Sequence, residues 1–166
     1  MDRSKDPNSQ FTVRLFREAD RQELIDCMVE LQEHERKLEP LRLPGTEMAP
    51  PYVEAMLDGG IADGAQIFVA CSGDKVAGFV CVFPKSNLDE GLNQPAIVAY
   101  VGDIIVLPQF RRLGVARQLM DEAERVAKEH GAEKIMLHVL FDNAPARQFY
   151  LHSGYREYEL TLIKDL

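Results

Sequence analysis

Hydrophobic and polar positions along the chain alternate between two periods, one typical of strands and one typical of helices. Residues 11–18 alternate apolar and polar side chains, which predicts a strand. Residues 19–39 then carry leucine and methionine at helical spacing, which predicts an amphipathic helix. Asp20, followed three positions later by Glu23, is typical of a capping box at the start of that helix.

The rest of the chain continues this alternation of strands and helices. Prolines and glycines end the first helix, and Pro51 is placed to open a second one over residues 51–60. Further strands are predicted over residues 65–84 (a hairpin), 96–107, 134–141 and 155–163, and further helices over 114–130 and 143–154. Gly131 and Gly154 end these last helices, and a polar loop runs from Lys85 to Gln94. This order predicts one mixed sheet with helices on both faces.

Length, charge and hydropathy narrow the class of protein. The 166 residues fit a single domain over residues 1–166, with residues 1–10 as a flexible tail. A net charge of −8 argues against general nucleic-acid binding. Gly102 and Asp103 break the longest apolar stretch, and the N-terminus lacks the apolar region of a signal peptide. We therefore expect a cytoplasmic protein with neither a nucleic-acid nor a membrane partner.

The cysteines and histidines indicate neither a redox motif nor a metal site. Cys27, Cys71 and Cys81 are odd in number, lie in apolar surroundings and show no CxxC spacing, so we expect small buried thiols. The four histidines share no metal-ligand spacing, and we interpret them as packing or surface residues: His34, His130, His138 and His152. We expect no bound metal.

Residues 108–120, PQFRRLGVARQLM, place two arginines and a glycine at a strand-to-helix corner. The first amides of a helix have no intrahelical acceptor and lie at the positive end of the helix dipole. Gly114 has no Cβ, so an anionic oxygen can approach its backbone closely. The corner therefore favours an anion such as a diphosphate, with a solvated basic turn as the alternative. Its spacing matches neither a P-loop nor a Rossmann motif.

Two motifs in this order give the chain a family resemblance. Residues 111–116, RRLGVA, match the signature R/Q-x-x-G-x-G/A. A second segment, N-x-x-A-x-x-F-Y-x-x-x-G-[FY], is matched by Asn143, Ala146, Phe149, Tyr150, Gly154 and Tyr155. The chain thus resembles the GNAT N-acetyltransferase superfamily. The resemblance implies an α/β (α+β) fold whose mixed, mostly antiparallel sheet has six to seven strands, splayed between the fourth and fifth, with helices on both faces.

The resemblance also implies acetyl-coenzyme A as cosubstrate, without a metal. The diphosphate would lie on backbone amides of residues 111–116, and the pantetheine arm would pair with the end of the long strand. The implied cofactor-binding residues are Ile104, Ile105, Val106, Arg111, Arg112, Leu113, Gly114, Val115, Ala116, Asn143 and Tyr150. Asn143 would cap its helix, touch the pantetheine arm, or do both.

Acetyl transfer to an amine asks for a proton acceptor and a proton donor. Asp103 is the charged break in an apolar strand, and we expect it to attract the ammonium group or pass its proton through water. The alternative for Asp103 is a strand-end charge paired with an arginine. Tyr150 lies where the family commonly carries a tyrosine that protonates the departing sulfur; the alternative is an aromatic residue packed beside Phe149.

The acceptor is less defined by sequence. The resemblance implies that residues 28–56 line the acceptor site. The glutamates in this range either attract a cationic substrate or form a solvated helix face. They are Glu30, Glu33, Glu35, Glu39, Glu47 and Glu54. We expect direct transfer, in a ternary complex, to a primary amine of a small molecule (a polyamine, an aminoglycoside or an amino acid-like compound) or of a protein lysine or N-terminus. The competing function is a non-catalytic acyl-coenzyme A sensor or interaction module. Homodimerisation stays open.

Overall fold

The computed structural model describes residues 10–86 and 96–164. The strands in these ranges are β1 (Thr12–Leu15), β2 (Gln66–Ser72), β3 (Lys75–Ser86), β4 (Val98–Val106) and β5 (Lys134–Leu137). They form one sheet in the order β1-β2-β3-β4-β5. The first three pairings are antiparallel and β4 pairs with β5 in parallel, which confirms a mixed, mostly antiparallel sheet.

Helices cover both faces of this sheet, as predicted. The α-helices in the described ranges are α1 (Arg21–Arg36), α2 (Gly45–Ala55, continued by a π-helical turn at Met56–Gly60), α3 (Val115–Glu129) and α4 (Ala144–His152). On one face α1 and α2 pack against Val69 and Phe79, and the three buried cysteines lie in this core. On the other face α3 packs against Phe68 and Val80.

The strand count is five in the described ranges, so the prediction of six to seven strands is wrong. Residues 155–163 form no strand although Tyr158, Leu160 and Leu162 alternate with polar residues, and β5 ends at Leu137 rather than at residue 141. A strand requires a neighbouring backbone to pair with, which local alternation cannot supply. The predicted loop after Lys85 lies mostly outside the described residues, as does nearly all of the predicted tail.

The capping box predicted at the start of α1 is also wrong. Asp20 makes no capping hydrogen bond; its carboxylate accepts two hydrogen bonds from the Arg14 guanidinium, at 2.7 and 2.8 Å, and one from the Arg17 amide. The hydrogen bond from Arg14 is the main cause that lowers the pKa of Asp20. This buried carboxylate is therefore held by a charged partner on β1 and by the preceding Arg17 amide, and not by the first amides of α1.

Helix α2 begins at Gly45, six residues before the predicted start at Pro51. The Gly45 amide donates to Oε1 of Glu33 on α1 at 2.6 Å, so a carboxylate stabilises the positive end of the helix dipole. A Cβ at Gly45 would lie 2.7 Å from the Val29 carbonyl oxygen, which makes glycine necessary where the two helices approach. Pro50 and Pro51 lie inside the helix.

Candidate active site

The fourth and fifth strands share only four paired positions. β4 pairs with β5 from Val98 to Val101, and residues 102–106 have no partner on this side among the described residues. The two strands therefore form a fork that opens at Gly102. The predicted splay between the fourth and fifth strands is confirmed.

A β-bulge at the mouth of this fork sets the direction of Asp103. In the pairing of β3 with β4, Cys81 lies opposite Asp103 and Val82 lies opposite Val101, so Gly102 is the extra residue. Val101 packs in the core under α3, whereas Ile105 packs in the core under α1 and α2. Without the bulge these alternate residues would share one face. The extra residue thus turns Asp103 toward α1 and α2.

Asp103 lines a pocket of about 210 Å³ on that face. Its other lining residues come from α1, α2 and the loop between them: Met28, Leu31, Gln32, Glu35, Arg42, Met48 and Tyr52. The Tyr52 hydroxyl donates a hydrogen bond of 3.0 Å to Oδ2 of Asp103. The alternative of a strand-end charge paired with an arginine therefore does not match the geometry, because the side chain that contacts this carboxylate is a tyrosine.

The environment raises the pKa of Asp103 to about 6. Burial is the largest cause, the negative charge of Glu35 adds to it, and the hydrogen bond from Tyr52 opposes it. A carboxyl group with this pKa is mostly ionised at neutral pH and still takes up a proton more readily than an ordinary aspartate, whose pKa is about 3.9.

Half of the glutamates predicted to line the acceptor site form ion pairs elsewhere. Three of its glutamates pair with arginines outside the pocket: Glu30 with Arg111, Glu33 with Arg36, and Glu54 with Arg21. Of the six, Glu35 lines the pocket, and its Oε2 lies 2.9 Å from Nη1 of Arg42. The helix charges therefore form mainly a paired surface rather than a strongly cation-binding wall.

Tyr150 lies on α4, half-buried between two aromatic rings. The ring centroids of Phe149 and Tyr155 are 5.3 and 5.7 Å from that of Tyr150. Burial, with a further contribution from Glu35, raises the pKa of Tyr150 to about 12. Because Glu35 raises the pKa of both Tyr150 and Asp103, the two predicted catalytic residues lie within electrostatic reach of one carboxylate.

The predicted anion corner precedes α3, with Gly114 as its N-cap residue. Gly114 and Arg112 both have positive φ, 81° and 62°, and a Cβ at Gly114 would find no atom within 4 Å. The first amides of α3 thus border open space beside an exposed arginine. These features fit an anionic group such as a diphosphate.

Two of the residues predicted to bind the cofactor also form hydrogen bonds within the protein. Nε of Arg111 donates to the Val106 carbonyl at 2.9 Å, so one backbone acceptor at the end of β4 is already occupied. The Asn143 side chain accepts from the Ala146 amide at 3.4 Å and caps α4, as predicted. Ile104 and Ile105 pair with β3 on one side and, within residues 10–86 and 96–164, have no strand partner on the fork side.

Sequence reasoning missed Tyr52 and a second polar pair at the fork. The Tyr100 hydroxyl lies 3.0 Å from Nδ1 of His138, and their ring centroids are 5.6 Å apart. His138 is exposed and follows β5 directly, so of the two interpretations, packing or surface residue, its position fits the second. No local motif indicates these partners, since Tyr52 and Asp103 are 51 positions apart and Tyr100 and His138 are 38 apart.

The described ranges, residues 10–86 and 96–164, contain neither a candidate membrane-spanning helix nor a candidate metal site. No helix there is both long and apolar enough to cross a membrane. No group of three or more histidine, cysteine, aspartate or glutamate side chains is arranged there to hold a metal ion.

Comparison with known proteins identifies the family. The sequence profile of the acetyltransferase (GNAT) family matches residues 26–155. Because this match covers most of the chain, the protein belongs to the GNAT acetyltransferase family.

Individual relatives differ in what their names say they acetylate. Streptothricin acetyltransferase of Streptomyces lavendulae is 33% identical over 117 residues, covering 64% of this chain and 58% of that one. The N-alpha-acetyltransferase of Sulfurisphaera tokodaii is 31% identical over 96 residues, covering 56% and 58%. The matched segments span 22% to 58% of the length of the curated relatives.

A solved structure shares the fold across nearly the whole chain. AAC(6')-Iy, in complex with the bisubstrate analogue CoA-S-monomethyl-acetylneamine, has a TM-score of 0.68 at 20% identity. The match covers 94% of this chain and 97% of the other.

Proposed function

We propose that the protein is an N-acetyltransferase that moves the acetyl group of acetyl-coenzyme A to a primary amine. The observation that carries the proposal is Asp103, turned by the Gly102 bulge into a pocket at the open fork and held there by Tyr52. Family membership and a neighbour of the same fold that binds a coenzyme A bisubstrate analogue support it. A single domain, cytoplasmic location and the state of assembly stay predictions.

The residues before and within α3 are suited to hold the cosubstrate. Backbone amides of residues 111–116 would bind its diphosphate, and the unpaired edge at Ile104 and Ile105 would bind its pantetheine arm. When bound, acetyl-coenzyme A supplies an acetyl thioester and a thiol leaving group. In this proposal, Asn143 at the start of α4 and Tyr150 within α4 would line the side of the fork on which the cosubstrate binds.

Asp103 and Tyr150 would handle the two protons. An alkyl ammonium has a pKa of about 10.4, so roughly one molecule in a thousand is neutral at pH 7. Asp103 attracts the ammonium group and accepts its first proton, directly or through water. The neutral amine then attacks the thioester carbonyl, the N–C bond forms and the C–S bond breaks, and the nitrogen releases its second proton to water, from which Tyr150 is reprotonated. The Tyr150 hydroxyl donates a proton to the departing sulfur, and its high pKa keeps it protonated at neutral pH.

The simplest experiment incubates the protein with acetyl-coenzyme A and pooled amines. Release of free thiol that depends on an added amine is the expected result. Coenzyme A binding without amine-dependent release would instead support the non-catalytic sensor.

Replacing Gly114 with valine should weaken coenzyme A binding by about tenfold or more, because the loss of one charge-assisted hydrogen bond costs about 1.5–3 kcal/mol. Valine is strained at the positive φ that Gly114 adopts, and its side chain would fill the open space beside the first α3 amides. Calorimetry with coenzyme A measures the effect. Gly64→Val is the matched control, since Gly64 also has positive φ and open space but precedes β2. Equal weakening in both variants would contradict a local role.

The pH profile of kcat/KM should fall as pH drops through about 6, because protonation of Asp103 removes the proton acceptor. Tyr52→Phe removes the hydrogen bond that lowers the pKa of Asp103, so this acidic limb should move to higher pH. Tyr158→Phe, which changes an exposed tyrosine, should leave the profile in place. An unchanged limb in Tyr52→Phe would show that the limb does not report Asp103.

A further inference from the structure

The pocket beside Asp103 also contains one cationic side chain, Arg42, on the loop between α1 and α2. Nη1 of Arg42 pairs with Glu35, whereas its buried Nε has no hydrogen-bond partner among the described residues. A guanidinium carries five N–H donors in a planar fork. Glu35 therefore uses only part of the donor capacity of this guanidinium.

The charges that line the pocket and the volume of the pocket limit which acceptor molecules fit. The lining residues include two carboxylates and one guanidinium, and Arg42 neutralises Glu35. Asp103 is then the lining carboxylate without a cationic partner in the described structure. A polyamine carries several positive charges, of which this one carboxylate can pair with one. The positive charge of Arg42 would repel the others. The volume of about 210 Å³ is also below the roughly 300–1,000 Å³ typical of sites for drug-sized ligands.

We infer that the acceptor is a small amino acid with an uncharged side chain, whose amine lies at Asp103 and whose carboxylate binds Arg42. Its side chain would lie among Met28, Leu31 and Met48, and the spare donors of Arg42 would let the guanidinium hold the substrate and Glu35 together. The inference rests on the proposed acetyl transfer. The products are the N-acetyl amino acid and free coenzyme A. The first amine proton passes to Asp103 before attack, the sulfur receives one from Tyr150, and the second amine proton passes to water, from which Tyr150 is reprotonated.

The test compares L-methionine, L-methioninamide and putrescine as acceptors, with thiol release as the measurement. The amide keeps the amine and the side chain of methionine but lacks its carboxylate. We expect kcat/KM to be higher for methionine than for the amide by about tenfold or more, the value of one charge-assisted hydrogen bond. We also expect putrescine to be a poor acceptor.

The variant Arg42→Gln should lower the methionine-to-amide ratio by about tenfold or more relative to the wild type. Comparison of this ratio between the wild type and the variant cancels differences in overall activity and in the reactivity of the two amines. Lys37→Gln is the matched control, because it removes one exposed positive charge at the end of α1 and should leave the ratio intact. Thermal unfolding and coenzyme A affinity check that Arg42→Gln is folded, and Arg42→Lys, which keeps the charge but lacks the planar fork, should give an intermediate ratio.

Two outcomes would overturn this inference while leaving the proposed function intact. One is efficient acetylation of putrescine or methioninamide with little use of methionine. The other is a preference for methionine that survives in Arg42→Gln. If no amine among a wide set releases thiol, the proposed function fails, and the inference fails with it.

Discussion

Replacing Asp103 with asparagine should lower kcat/KM by roughly a hundred- to ten-thousand-fold, the usual contribution of a positioned general base. Asparagine keeps the size of the side chain and an oxygen that accepts the Tyr52 hydrogen bond, so the fold and coenzyme A affinity should change little. The loss should shrink as pH rises toward the pKa of the acceptor amine, because the substrate then supplies its own neutral form.

Glu35→Gln is the matched control for Asp103→Asn. It removes a carboxylate from the same pocket, but one that is already paired with Arg42. We expect a much smaller fall in kcat/KM and an acidic limb at lower pH, since the charge of Glu35 raises the pKa of Asp103. Equal losses in both variants would mean that the pocket needs negative charge in general, and the proton-acceptor role of Asp103 would be wrong.

Replacing Tyr150 with phenylalanine should slow turnover toward the lower end of the general-acid range, roughly a hundredfold, since water can partly substitute in an open cleft. The variant keeps the ring that packs between Phe149 and Tyr155, so folding and coenzyme A affinity should stay close to those of the wild type. Loss of an interaction made only in the transition state lowers kcat and kcat/KM together. Steady-state kinetics with the best amine would measure both constants.

Tyr155→Phe provides a neighbouring control for Tyr150→Phe. It removes a hydroxyl that donates to Glu124 at 3.2 Å on α3, away from the pocket residues. This variant should lose some thermal stability and retain its turnover rate. Wild-type turnover in Tyr150→Phe would show that Tyr150 is a packed aromatic residue and not the proton donor.

Together the Asp103 and Tyr150 variants decide between an enzyme and a sensor. An enzyme requires both side chains for turnover but not for coenzyme A binding. Both variants should then turn over more slowly while their affinity for coenzyme A stays close to that of the wild type. A sensor would show no amine-dependent thiol release in the wild type, and neither substitution would then change a measurable rate.

Local sequence patterns were sufficient for the elements that depend on neighbours in the chain. The helical stripe and the following glycine predicted α3 and its end at Gly131, whose φ is 80°. Asn143 was predicted as a cap because its partner is three residues away. The signature of residues 111–116 indicated a corner whose backbone conformation depends on Gly114 itself. In each case the controlling interaction lies within one helical turn.

Only the tertiary structure decided the arrangement of the pocket. Alternation alone places Val101 and Asp103 on the same face of β4, and the bulge at Gly102 separates them. The bond from Tyr52, the capture of Asp20 by Arg14 and the start of α2 at Gly45 each depend on a partner from another element. The pKa of Asp103 likewise reflects burial beneath two helices. These interactions join groups that are distant in the chain. A local pattern of polar and apolar residues therefore cannot predict them.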